Sequence, residues 1–106
     1  MSVTYLITFA VKPAQRERFL HLLDGVLDAM REEATFRNAT LHVDPADPDH
    51  FLLHETWADH QDVVDVQLAR PYRRDWHEAL SDILEQPREV SMWTPLRRDL
   101  SGDNRQ

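Results

Sequence analysis

Residues 41–57 run Leu41-His42-Val43-Asp44-Pro45-Ala46-Asp47-Pro48-Asp49-His50-Phe51-Leu52-Leu53-His54-Glu55-Thr56-Trp57. Strand-like runs from Phe36 to Val43 and from Phe51 to Trp57 flank a link, Asp44 to Asp49, built of turn-forming Asp and Pro. The segment therefore predicts a β-hairpin. With the turn centred on Asp47, one face carries Leu41, Val43, Phe51, Leu53, Glu55 and Trp57, and the other Asn38, Thr40, His42, His54 and Thr56. A slip of one residue would exchange the two faces.

On the N-terminal side, Val3 to Val11 is rich in β-branched and aromatic residues and reads as a strand with both faces covered. Lys12-Pro13 ends it, and Pro13 suits the first turn of a helix. From Ala14 to about Glu33, Phe19, Leu22, Leu23, Val26, Leu27 and Met30 form one helical stripe. Gly25 lies inside that helix, where close backbone packing is the expected reason for it. On the C-terminal side, Asp59 is an expected N-cap for a short helix through Leu68, with Asp62 adding favourable charge. Pro71 opens a further helix with the stripe Tyr72, Trp76, Ala79, Leu80, Ile83 and Leu84, and Pro87 stops it. Glu89 to Leu96 reads as a last strand. The order is β-α-β-β-α-β with the second helix split in two, an α+β ferredoxin-like sandwich.

A chain of 106 residues makes one domain, expected over 1–96, with a polar tail over 97–106. Its 42% hydrophobic and 29% charged residues are those of a folded domain rather than a disordered one. The net charge of −7 argues against nucleic acid or an anionic membrane as partner. No cysteine is present, which excludes disulfides, thiolate nucleophiles, cysteine-ligated zinc and iron–sulfur clusters. Two glycines, Gly25 and Gly102, are too few for a phosphate-cradling loop, so ATP- and NAD-dependent readings are disfavoured. Met1 to Tyr5 lack a basic region leading into an apolar run, and no stretch is long and apolar enough to span a bilayer. The expected location is the cytoplasm.

Three stretches carry a family resemblance: Ile7-Thr8-Phe9-Ala10-Val11-Lys12-Pro13 entering a long helix, the hairpin closed by Glu55-Thr56-Trp57, and Gln67-Leu68-Ala69-Arg70-Pro71-Tyr72 where the helix restarts. In order and spacing, over residues 3 to 96, the chain resembles the antibiotic biosynthesis monooxygenase family. The resemblance implies a homodimer, with the two sheets packed into a shared dimeric α/β barrel, and a pocket between each sheet and its own helices. It also implies cofactor-independent oxidation of quinols or polycyclic phenols by molecular oxygen. There the protein binds, deprotonates and orients a substrate electron-rich enough to reduce oxygen itself. Departures are visible. Many quinol-oxidising relatives have His where this chain has Gln67 and Tyr72, and aromatic polyketide oxygenases have Asn where it has Leu53. The haem-degrading branch has Asn where Ile7 stands, and its proximal His aligns with Trp76, one position from His77. These departures count against haem degradation and leave oxygenase activity open.

Glu55 and Trp57 share a strand face with Phe51 and Leu53, so both are expected to point between sheet and helices. A carboxylate there either accepts a proton from a phenol or pairs with an arginine such as Arg73 or Arg74. Trp57 either walls the pocket or fills core. Tyr72 and Trp76 lie one helical turn apart, and His77, close beside them, is the histidine nominated as a general base. The expected walls of the pocket are Trp57, Tyr72, Trp76, Phe9 and Phe51, with Glu55 and His77 handling protons. His42 and His54 share the opposite hairpin face, but two histidines make an incomplete metal site, so no metal is expected. His21, His50 and His60 read as surface residues. The clusters Arg16-Glu17-Arg18, Arg31-Glu32-Glu33 and Arg73-Arg74-Asp75 read as solvated faces. The competing function is a non-catalytic dimer that binds a small molecule in the same cavity.

Overall fold

A computed structural model of the chain describes residues 1–102. Strands β1 (Val3–Ala10), β2 (Phe36–Asp44), β3 (Asp47–Trp57) and β4 (Glu89–Trp93) form one antiparallel sheet in the order β2-β3-β1-β4. Helices α1 (Arg16–Met30), α2 (His60–Asp65) and α3 (Arg74–Ile83) complete an α+β ferredoxin-like arrangement. The second helical region is split: between α2 and α3 lie two 3-10 turns, Gln67–Ala69 and Pro71–Arg73. Pro71 fixes the break, because it supplies no backbone N–H and holds Arg70 extended at ψ 134°.

The hairpin pairs Val43 with Phe51, Leu41 with Leu53 and Thr40 with His54, so the faces fall as the sequence predicts. The turn itself is tighter, at Pro45-Ala46, and β3 begins earlier, at Asp47. A register shift between Val43 and Asp44 reconciles the two, leaving extra residues on β3 bulged beside the turn. Asp44 and Asp47 hold this turn by accepting from the backbone N–H groups of Ala46 and Asp49 at 2.8 and 3.0 Å.

The core lies between the inner sheet face and the helices. Phe19, Leu23, Val26 and Met30 of α1 are buried against Phe9 of β1 and Phe51 of β3, and Trp76 and Ile83 of α3 close the layer. Phe9, Phe19, Phe51 and Trp76 form an aromatic cluster with ring centroids 4.8–5.6 Å apart. Backbone bonds from Lys12 to Ile83 and from Glu85 to Ala10 tie the end of β1 to the end of α3.

Two expectations are corrected. Within one chain the helices cover only the face of Val3, Tyr5 and Phe9, while on the other face Thr4 is buried and Leu6 and Thr8 are half-buried. Gly25 is exposed, and a Cβ built there meets nothing within 4 Å, so close packing does not explain it. The polar tail expected over 97–106 is largely exposed as far as Gly102, and residues 103–106 lie outside the described residues.

Candidate active site

Strand alternation sends Tyr5, Ile7 and Phe9 of β1 and Leu53 and Glu55 of β3 toward the helices. Between them, α1, the split helical segment and the start of β4 leave a half-open cavity of about 190 Å³. Leu23, Val26 and Met30 of α1 and Trp76 of α3 supply apolar wall, and Val63 and Leu68 close the side under the split helix. Into this apolar space project six polar side chains: Tyr5, Glu55, His60, Arg73, His77 and Arg88.

Glu55 is 6% exposed. Its Oε1 accepts a hydrogen bond of 3.1 Å from the indole N–H of Trp57. Burial pushes its pKa up, against the opposing pull of the Trp57 N–H, Arg73, Arg88 and His54. Among the described residues no arginine nitrogen lies within 4.0 Å of its carboxylate, so the alternative of an ion pair with Arg73 or Arg74 is not what the structure forms. Arg74 is exposed on α3, one residue too far round to face the cavity.

Tyr5 pairs directly across the sheet with Glu55. Burial, then Glu55 and Asp59, push its phenol pKa up. Its hydroxyl lies 2.6 Å from Nδ1 of His60 at the N-terminal end of α2, where Asp59 caps the helix by accepting from the Asp62 N–H at 3.1 Å. Asp62 does more than add charge: its carboxylate accepts from Thr35 Oγ1 at 2.7 Å and from Gln67 Nε2 at 3.1 Å, which anchors the split helix to the start of β2.

His77 is half-buried, and burial, with Arg88 and Arg73 nearby, pushes its pKa down. The ring is therefore held toward its neutral, proton-accepting form. Arg73 corrects the reading of its charge cluster as a solvated face: it is 6% exposed, at the last position of the second 3-10 turn. Its guanidinium carbon stands 5.8 Å from the ring centre of Trp57 and 5.6 Å from that of Tyr72. Arg88, just ahead of β4, is half-buried, and burial and Arg73 push its pKa down while Glu55 raises it.

Of the residues expected at the site, Phe9, Glu55, Trp76 and His77 line the cavity. Trp57, Phe51 and Tyr72 do not line it, and the expectation of walls there is corrected. Trp57 is wholly buried, edge-on to Phe36 at 5.3 Å, and reaches the site through its bond to Glu55 and its contact with the Arg73 guanidinium. Phe51 is consumed by its contact with Phe19 at 4.8 Å. Tyr72 turns its hydroxyl to Glu33, which it meets at 3.1 Å beside the Arg70–Glu33 ion pair of 3.0 Å. Sequence reasoning missed Tyr5, His60, Arg73 and Arg88. Strand parity carried a signal for two of them, since Tyr5 alternates with Ile7 and Phe9, and Arg88 with Val90. His42 and His54 lie on the outer sheet face, and no group of three or more His, Asp or Glu able to hold a metal occurs among the described residues. No helix there is long and apolar enough to cross a membrane.

The profile of the antibiotic biosynthesis monooxygenase family matches residues 2–79. A Pestalotiopsis microspora protein named as a monooxygenase is 31% identical over 96 residues, covering 90% of this chain and 80% of that protein. The solved structure of a Mycobacterium tuberculosis protein superposes with a TM-score of 0.83 at 20% identity, covering 92% of this chain and 98% of the other. That of a cofactor-independent oxygenase from Streptomyces nogalater gives 0.78 at 21% identity, covering 92% and 95%. At such identities these two structures speak for the fold alone.

Proposed function

We propose, given that this chain belongs to the antibiotic biosynthesis monooxygenase family, that it oxidises an aromatic phenol or quinol with molecular oxygen and no bound cofactor, as a cytoplasmic homodimer. The observation that carries this reading is Glu55, a carboxylate with a raised pKa and, among the described residues, no ion-pair partner, at the floor of an apolar cavity. An ordinary carboxylate is far too weak a base for a phenol of pKa about 10, and burial narrows that gap.

The chemistry requires few protein groups. Glu55 takes the phenol proton, and the phenolate transfers one electron to oxygen. The resulting phenoxyl and superoxide radicals join at a ring carbon to give a peroxide anion, which takes the proton held by Glu55 to become a hydroperoxide. His77, held neutral, removes the proton from that carbon while the O–O bond breaks. The carbon becomes a carbonyl, and the departing hydroxide takes the proton from His77 and leaves as water. The sum is phenol plus oxygen giving quinone plus water. Phe9, Trp76 and Leu53 supply the dry walls that hold the ring.

Oxygen consumption by metal-stripped protein against quinols and polyphenols, corrected for autoxidation, tests the proposal. Uptake that is lost in Glu55→Gln supports it. No uptake across the panel, with ligands still raising the melting temperature, replaces it by the non-catalytic small-molecule-binding dimer.

A further inference from the structure

We propose that Arg73 and Arg88 form an anion-holding subsite in the cavity, and that the ligand is an acidic aromatic compound whose carboxylate lies against the two guanidinium groups. The inference rests on reading the cavity as the substrate site and adds the class of substrate to it.

Arg73 is only 6% exposed and lines the cavity. Its Nε is fully enclosed and has no hydrogen-bond partner among the described residues. The rings of Trp57 and Tyr72 lie within 6 Å of its guanidinium carbon. Neither ring offers an acceptor to the Nε–H, which lies enclosed without one. An arginine keeps its charge, so this buried donor is satisfied by an acceptor brought into the cavity.

Arg88 brings a second cation to the cavity lining, where burial and Arg73 disfavour its charge. The nearest acid in the cavity, Glu55, is more than 4.0 Å from both, and burial moves it toward its protonated form. With Glu55 ionised the trio carries one positive charge, and with Glu55 protonated it carries two. This concentration stands inside a chain whose net charge is −7. A fork of guanidinium donors matches the two oxygens of a carboxylate, and in an apolar cavity such charge-assisted bonds are strong.

Calorimetric titration under anaerobic conditions with 1-hydroxy-2-naphthoate and with 1-hydroxy-2-naphthamide tests this. The two probes share ring, phenol and shape and differ in the charge of one group. The acid is expected to bind more tightly by about tenfold or more. The preference should collapse in Arg88→Gln, and in Arg73→Gln where that variant remains folded. Equal affinities in the unaltered protein overturn the proposal whatever the variants do. So does an acid preference that Arg88→Gln leaves intact. Equal affinities that both fall in Arg88→Gln assign the arginines to the phenolate oxygen, which also overturns it. Because no oxygen is consumed, a failure of catalysis leaves this readout standing, and a failure here leaves oxygen uptake to be judged separately.

Discussion

The indole N–H of Trp57 donates to Glu55 Oε1 at 3.1 Å, from two positions further along the same strand. A wholly buried tryptophan thus supplies the one direct hydrogen bond that the buried carboxylate receives from a side chain among the described residues. The bond favours the charged form, and burial outweighs it. Trp57→Phe keeps an aromatic ring in the core and removes the donor. It should lower stability by about 1–3 kcal/mol through the unpaired buried acceptor, measured by urea denaturation. It should also move the rising limb of the kcat/KM profile to higher pH. An unmoved limb would show that Glu55 is not the base seen in the profile.

Glu55→Gln separates function from stability. Because the folded-state pKa of Glu55 is raised above 4.5, the folded protein holds this proton to higher pH than the unfolded chain does. The contribution of Glu55 is therefore fully present below 4.5 and is lost as pH rises through the folded value. Glutamine does not titrate. The variant should be inactive and yet more stable than the parent at pH 8, with the gain vanishing near pH 4. Denaturation midpoints at the two pH values check this, and a gain independent of pH would contradict the assigned shift.

His77 titrates in the opposite sense. Its pKa is pushed below 6.5, so its neutral form persists to lower pH in the folded protein than in a free peptide. Replacing Arg88 by Gln removes one of the two cations that depress it, and the His77 pKa should rise toward its ordinary value. An NMR titration of the ring protons reads this directly. No change would place Arg88 too far from the ring to act on it.

Gly25 offers a change free of the site. It lies in the middle of α1 on an exposed face, and a Cβ there meets nothing within 4 Å. Gly25→Ala should stabilise the protein by about 0.5–1 kcal/mol, since alanine loses less backbone freedom in a helix. A destabilised variant would mean that something outside the single chain packs against this face of α1.

The element order, the hairpin faces and the cavity position of Phe9, Glu55, Trp76 and His77 were legible because each depends on periodicity alone. Alternation places Glu55 with Leu53, and the 3.6-residue period places Trp76 with Ile83. What was not legible depends on how separate elements meet. Tyr72 reads as pocket wall by helical spacing, but its hydroxyl is captured by Glu33, 39 residues away. Arg73 sits in a run that looks solvated, and the 3-10 turn imposed by Pro71 rotates it inward. His60 reads as a surface residue, and its role at the cavity follows only from the register that sets Tyr5 beneath it.

The outer sheet face yields the last prediction, which concerns the proposed homodimer. Thr4 and Thr56 meet there through their hydroxyls at 2.8 Å, and Leu6 lies between His54 and Ser91 on the flanking strands. Among the described residues no helix covers this face, and Trp93 stands 58% exposed at its margin. A two-layer domain with one sheet face open, carrying Leu6 and Trp93 among threonines and histidines, gains by pairing that face with a second copy, and a stable pair needs roughly 1,200–2,000 Å² of buried surface. Leu6→Lys puts a charge at the middle of the face while leaving the helices and the cavity untouched. Light scattering should give twice the 12.5 kDa chain mass for the parent and a single chain mass for the variant. If Leu6→Lys stays dimeric, the copies associate through some other surface. If the parent is itself a monomer at micromolar concentration, the homodimer is wrong and the cavity works within one chain.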